Sequence, residues 1–370
     1  MTTPDEERSF SAEPTPEEPT AANRGQTPAP SLWRTGWATL ILIGLNVAVF
    51  ILMALDGVNV MLPETQDLID WGANLKPLTL DGQWWRLLTA CFLHIGVLHL
   101  AVNMYALLNI GVALENMLGR AQYVIAYLVS GLAGSAVSVW WHEATVSAGA
   151  SGAIFGMFGL FYAWVTTSHR LSAEEKKAQM ASAGTFLALN LVMGLSGKVD
   201  LAGHIGGLLA GILIGLLVSK WHSRSSWRPV LAGCALALVS SALLVANSKS
   251  QVKAFQDKMQ EFSTIEENVN RMWQGTRLIG DSLTAVKAFE ECSAEWAKAT
   301  AIAQEVEGYK LPDNMHAFTV LLADYCEKRG ALLGLKRQEI VDNSIAVQHG
   351  IDSLNHALDK LNGQIEALAK

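Results

Sequence analysis

Charged side chains are scarce in this chain. Lys, Arg, Asp and Glu make up 16% of its 370 residues, where a soluble domain carries roughly a quarter. The deficit points to a chain partly embedded in a membrane. Cysteine is scarce too: Cys91, Cys234, Cys292 and Cys326 complete the set. None stands in a CxxC or Cys/His ligand spacing, which argues against a zinc site. There is no basic run, and the net charge is −7, so no electrostatic footprint for nucleic acid is present. No apolar segment follows Met1, and neither a signal peptide nor a transit peptide is expected.

The few charges are unevenly placed. Residues 1–31 hold Asp5, Glu6, Glu7, Glu13, Glu17 and Glu18 among Pro, Thr and Ala. Such a segment buries too little apolar surface to offset its ordering entropy, so a disordered acidic tail is expected. Residues 32–246 are apolar and read as a membrane domain. Runs near the length of a transmembrane helix cover 37–55, 97–117, 121–141, 151–166, 181–197, 201–219 and 229–246. With the N-terminus inside, the cytoplasmic loops hold Arg120, Arg170, Lys176, Lys177, Lys220, Arg224 and Arg228. The outer loops hold Lys76, Arg86 and Lys198. The positive-inside bias predicts that orientation, and an odd number of spans then places residues 248–370 outside.

Residues 248–370 read as a helical domain. Val252, Phe255, Met259, Phe262, Ile265, Val269 and Met272 recur at helical spacing, as do Val347, Ile351, Leu354, Leu358, Leu361, Ile365 and Leu368. Breaks are expected at Gly308–Pro312 and at Gly330, giving about four helices. The domain is expected to pack or dock, against a protein partner or another copy of itself. An outside position would favour a Cys292–Cys326 disulfide.

Polar side chains in hydrocarbon need a reason. Ser151 opens the run 151–166, His204 lies near the start of 201–219, and His99 and Asn103 lie early in 97–117. All three runs cross from outside to inside, so these groups share one depth, within roughly 10 Å of the outer surface. A serine hydroxyl becomes a nucleophile when a base takes its proton, and histidine is the usual base near neutral pH. A helix N-terminus at Ser151 offers free backbone N–H groups to an oxyanion. His99 and Asn103, four apart on one helix face, can add donors. Gly152 and Gly156, with Gly207, Gly211 and Gly215, form GxxxG steps that let two helices approach closely. A lone serine in such a helix ordinarily bonds its own backbone; four polar groups at one depth are a different case. Asp200 is expected to cap the helix carrying His204, with orientation of the imidazole as an alternative. His94 is expected to order the loop before the second span, and Glu115, at the opposite membrane face, to be a structural hydrogen-bond partner.

These residues resemble the rhomboid family of intramembrane serine proteases. The resemblance rests on Trp85-Arg86, on His94 with His99 and Asn103, on Gly149-Ala150-Ser151-Gly152, and on Asp200 with His204-Ile205-Gly206-Gly207. It covers about residues 37–246. It implies an all-α polytopic membrane bundle, a six-helix core plus one span, followed by the soluble helical domain. It implies a Ser151–His204 dyad, an oxyanion site from the Ser151 amide, His99 and Asn103, and a lateral gate at 181–197. The implied substrates are transmembrane proteins in the lipid bilayer, cut near the outer ends of their spans after small residues. No metal or organic cofactor is implied, and the cytoplasmic (inner) membrane of a bacterium is the expected location. Phe155 stands where many bacterial members have tyrosine; it keeps a ring face for the imidazole and lacks the hydroxyl. The rival reading is an inactive relative that binds membrane clients, and retention of both Ser151 and His204 argues against it.

Overall fold

A computed structural model describes residues 36–169, 171–181, 184, 200–220, 226–276, 281–342 and 345–368. Among the described residues the chain is helical, with no strand and one isolated bridge between Asn74 and Ser147. The first long helix is α1, Trp37–Leu55. Three short helices follow in the loop before the next one: α2 (Thr65–Asp70), α3 (Lys76–Leu80) and α4 (Arg86–Thr89). Then come α5 (Val97–Leu118), α6 (Arg120–Trp141), α7 (Ser151–Thr167), α8 (Leu201–Lys220) and α9 (Arg228–Ala246). Five of the described helices are long and apolar enough to cross a membrane, and α7 is a shorter apolar helix. The expected run 181–197, with the gate assigned to it, lies almost wholly outside the described residues.

In hydrocarbon every helix end must find partners for its free N–H groups. At the start of α1 that partner is Glu115 of α5. Its carboxylate accepts the Ala38 and Thr39 amides at 3.0 and 2.9 Å and the Thr39 hydroxyl at 2.9 Å. Arg120 stands 3.7 Å from the same group. Glu115 is thus the structural partner expected of it, and it marks the end of the bundle away from Ser151. Gly119 reverses the chain between α5 and α6 as a single residue at φ +90°, a conformation that a Cβ disfavours. The membrane core gathers Leu107, Leu114, Tyr123, Tyr127, Met157 and Ile214 among its buried residues.

The loop between α1 and α5 is stiffened by Arg86. Its guanidinium donates to the carbonyls of Ile69 (2.6 Å) and Ala73 (3.0 Å) and to the Gln83 side chain (2.7 Å), and it lies 4.7 Å from the Trp85 ring centroid. Arg86 therefore ties the start of α4 to the end of α2 and to the segment that leads into α3.

Four long helices follow the membrane segment: α10 (Gln251–Thr276), α11 (Ser282–Glu307), α12 (Asp313–Asp342) and α13 (Gln348–Leu368). Phe255, Phe262 and Val269 of the first expected seam are buried with Phe289, Trp296 and Ile302, and Ile351 and Leu358 of the second pack on Leu332. Two expectations need correction. Gly330 does not break a helix: α12 runs through it. A Cβ there would come 3.5 Å from the Trp296 ring, ordinary contact distance, so the residue sits within the packing of the long helix. Cys292 and Cys326 form no disulfide; both are free and fully buried in the same apolar core. Burial raises both thiols, Cys326 to about 12, and disulfide formation needs a thiolate. They pack as small apolar groups instead.

Candidate active site

Ser151 is the first residue of α7, so its own amide is one of the free N–H groups at that helix end. Its Oγ lies 2.8 Å from Nε2 of His204 on α8. The glycines explain how two helices come close enough. A Cβ on Gly207 would fall 1.9 Å from the Gly152 carbonyl oxygen, and one on Gly211 would fall 1.8 Å from that of Gly156. The backbones are in direct contact along the expected GxxxG faces. Phe155, one turn after Ser151, stacks on the His204 imidazole at 4.2 Å between centroids and 12° between planes. The ring fixes the imidazole plane through contact alone.

The tautomers follow from these contacts. To take the serine proton, Nε2 of His204 must be the unprotonated nitrogen, which leaves the proton on Nδ1. That nitrogen has no hydrogen-bond partner among the described residues. His99 is the converse case. Its Nδ1 accepts the Ile95 amide at 3.3 Å, so neutral His99 carries its proton on Nε2. That Nε2 lies 3.3 Å from where a Gly149 Cβ would stand. Gly149 itself adopts φ +144° and would press a Cβ to 2.9 Å from the His99 ring; only glycine fits there. Asn103, one turn further along α5, is buried and donates its side-chain amide to the His99 carbonyl at 2.9 Å. His94 is fully buried, its ring 5.3 Å from that of His99.

Asp200 caps α8, as expected: its carboxylate accepts the Gly203 amide at 2.8 Å, and its carbonyl accepts the His204 amide at 3.1 Å. The carboxylate goes to other partners than the imidazole of His204. It accepts the Ser147 hydroxyl at 2.6 Å and lies 3.4 Å from Nε2 of His142. Ser147 also exchanges two backbone hydrogen bonds with Asn74, each 2.9 Å, and the Gly149 amide donates to the Ala90 carbonyl at 2.9 Å. Ser147 and Asn74 tie the segment before Ser151 to the cap of the His204 helix, and His142 lies beside that cap. They lie in loops, where no periodicity marks a residue in advance.

A hydroxyl against an imidazole, with backbone and side-chain donors around it, can perform acyl transfer. The family model described as Rhomboid domain matches residues 81–221. The chain is 38% identical to rhomboid protease GluP of Bacillus subtilis (strain 168) over 178 residues, 47% of this chain and 33% of that protein. It is 35% identical to RHOMBOID-like protein 2 of Arabidopsis thaliana over 148 residues, 40% of this chain and 45% of the relative. The chain therefore spans less than half the length of several curated relatives it matches. With rhomboid protease AarA of Providencia stuartii the identity is 31% over 195 residues, covering 47% of this chain and 69% of AarA. On that coverage, the chain belongs to the rhomboid family.

Proposed function

We propose that this chain is an intramembrane serine endopeptidase that hydrolyses peptide bonds in or near the spans of other membrane proteins. The carrying observation is the 2.8 Å contact of Ser151 Oγ with His204 Nε2 beneath a stacked Phe155. Ser151 Oγ attacks the scissile carbonyl as His204 Nε2 takes its proton. The tetrahedral oxyanion is met by the Ser151 amide, the Nε2–H of His99 and the Asn103 side-chain amide. His204 then hands its proton to the leaving amine. Water, deprotonated by the same nitrogen, releases the acyl group from Ser151. The substrates are transmembrane proteins, cut near the outer ends of their spans after small residues. The test is cleavage of a single-span reporter in proteoliposomes, with the cut mapped by mass spectrometry. His99→Ala or Asn103→Ala is expected to slow cleavage by about 10- to 1000-fold, the range for one lost oxyanion donor. Full activity in the double variant would remove both residues from the mechanism.

The layout proposed is a six-helix core plus the span α9, in the cytoplasmic membrane of a bacterium. Glu115 and Arg120 mark the inner end, and the helices after residue 250 stand on the outer side with Ser151. Supporting this, the start of α10 is bonded to Glu143, in the loop that leads to Ser151. A reporter fused at Lys370 should be active only when it senses the non-cytoplasmic side. Activity confined to the cytoplasm would overturn the topology.

A further inference from the structure

The segment 142–150 joins α6 to Ser151, and Glu143 is its second residue. The two oxygens of its carboxylate serve different parts of the chain. Oε2 accepts from Lys76 Nζ at 2.9 Å, at the start of α3. Oε1 accepts the Ser250 hydroxyl at 3.0 Å and the backbone amides of Gln251 and Val252, the latter at 3.0 Å. Those are free N–H groups of the first turn of α10, so a residue more than a hundred positions earlier serves as its N-terminal acceptor. The ion pair is largely buried, with 10% of the Lys76 side chain and 18% of the Glu143 side chain exposed. Within the same first turn, Lys253 pairs with Asp81 at the other end of α3. Both ends of α3 are thus fastened to the first turn of α10.

The same segment is held again four residues on. Ser147 pairs with Asn74, two residues before Lys76, and its hydroxyl donates to Asp200, the cap of the His204 helix. A bonded path therefore runs from the start of α10 through Glu143 to both helices of the dyad. Leaving a largely buried carboxylate short of donors is costly, so these contacts hold Glu143 in one arrangement. Resting on the reading of Ser151 and His204 as nucleophile and base, we propose that Glu143 is a positioning residue that locks the C-terminal helices onto the loop delivering Ser151. The helices after residue 250 then help to set the geometry of the dyad, and their release lowers turnover with little effect on substrate capture.

The test uses the full chain in proteoliposomes, with Glu143→Ala, Glu143→Gln and Lys76→Met. Asp281→Ala is the control: it removes the cap that accepts the Thr284 amide at the start of α11 and touches nothing near Glu143. Two readouts are taken, kcat and KM on the reporter, and amide hydrogen exchange. Glu143→Ala is expected to speed exchange at Gln251 and Val252 and also at Ser147 and Gly149. It should lower kcat by about 10- to 100-fold, the effect of a misplacement near 1 Å, with KM within about twofold. Glu143→Gln keeps an acceptor for α10 but loses the ion pair, so it should fall between wild type and Glu143→Ala. If Glu143→Ala does not fold, Glu143→Gln and Lys76→Met carry the decision. The control should leave kcat unchanged. Faster exchange at Gln251 and Val252 alone, with kcat intact, would overturn the proposal and leave Glu143 an anchor; so would a rise in KM at constant kcat. If wild type cleaves nothing, the protease reading fails, and exchange at Ser147 and Gly149 still decides whether Glu143 governs the loop.

Discussion

His204→Ala is expected to lower cleavage by about 100,000-fold, with Ser151→Ala no more active and the double variant no worse than either. The size follows from what the pair does. Without an imidazole at 2.8 Å, the hydroxyl keeps its proton at neutral pH and attack slows to near the background rate. Removing either member of a nucleophile–base pair typically costs about as much as removing both, because the two act as one unit. Phe155 provides a graded control. Phe155→Tyr retains the ring that stacks at 4.2 Å and should leave kcat within a few-fold. A His204→Ala variant retaining a tenth of wild-type activity in the proteoliposome assay would remove the imidazole from its role as base.

The second large effect is expected from one added carbon. Gly211→Ala would place a Cβ 1.8 Å from the Gly156 carbonyl oxygen, and Gly207→Ala would place one 1.9 Å from that of Gly152. The obstructing atoms are backbone, so no rotamer change relieves the clash, and α7 and α8 must separate. Overpacking of this kind typically costs about 1–3 kcal/mol, occasionally more. Separation by about 1 Å also opens the Ser151–His204 contact, which by itself is worth about a hundredfold in rate. Each variant should therefore unfold at lower temperature in detergent and lose at least about 100-fold in activity. Gly44→Ala in α1, where a Cβ meets nothing within 4 Å, should change neither. Wild-type stability in Gly211→Ala would mean that the helices are not in backbone contact.

The parts of this site that lie on helices were legible in the sequence. Apolar run length gave α1, α5, α6, α8 and α9 nearly to the residue, and glycines at four-residue spacing gave the contact between α7 and α8. Periodicity is a property of one helix, so it carries information wherever a helix makes the contact. Glu143, Ser147, His142 and Asn74 were not legible, because their partners lie 53 to 109 positions away in most cases. Only the finished fold brings them together. Gly330 and the cysteine pair were misread for a related reason. A glycine in a helix and a glycine after one look alike in sequence, and whether two thiols are bridged or packed depends on helix rotation that spacing does not specify.

In the proposed mechanism Ser151 is a nucleophile activated by His204. The experiment is to treat the purified 370-residue chain with a fluorophosphonate probe and to locate the adduct by peptide mass spectrometry. A single adduct on Ser151, absent in Ser151→Ala and strongly reduced in His204→Ala, is the predicted result. No adduct on Ser151 in folded wild-type protein would refute that mechanism and favour an inactive relative that binds membrane clients.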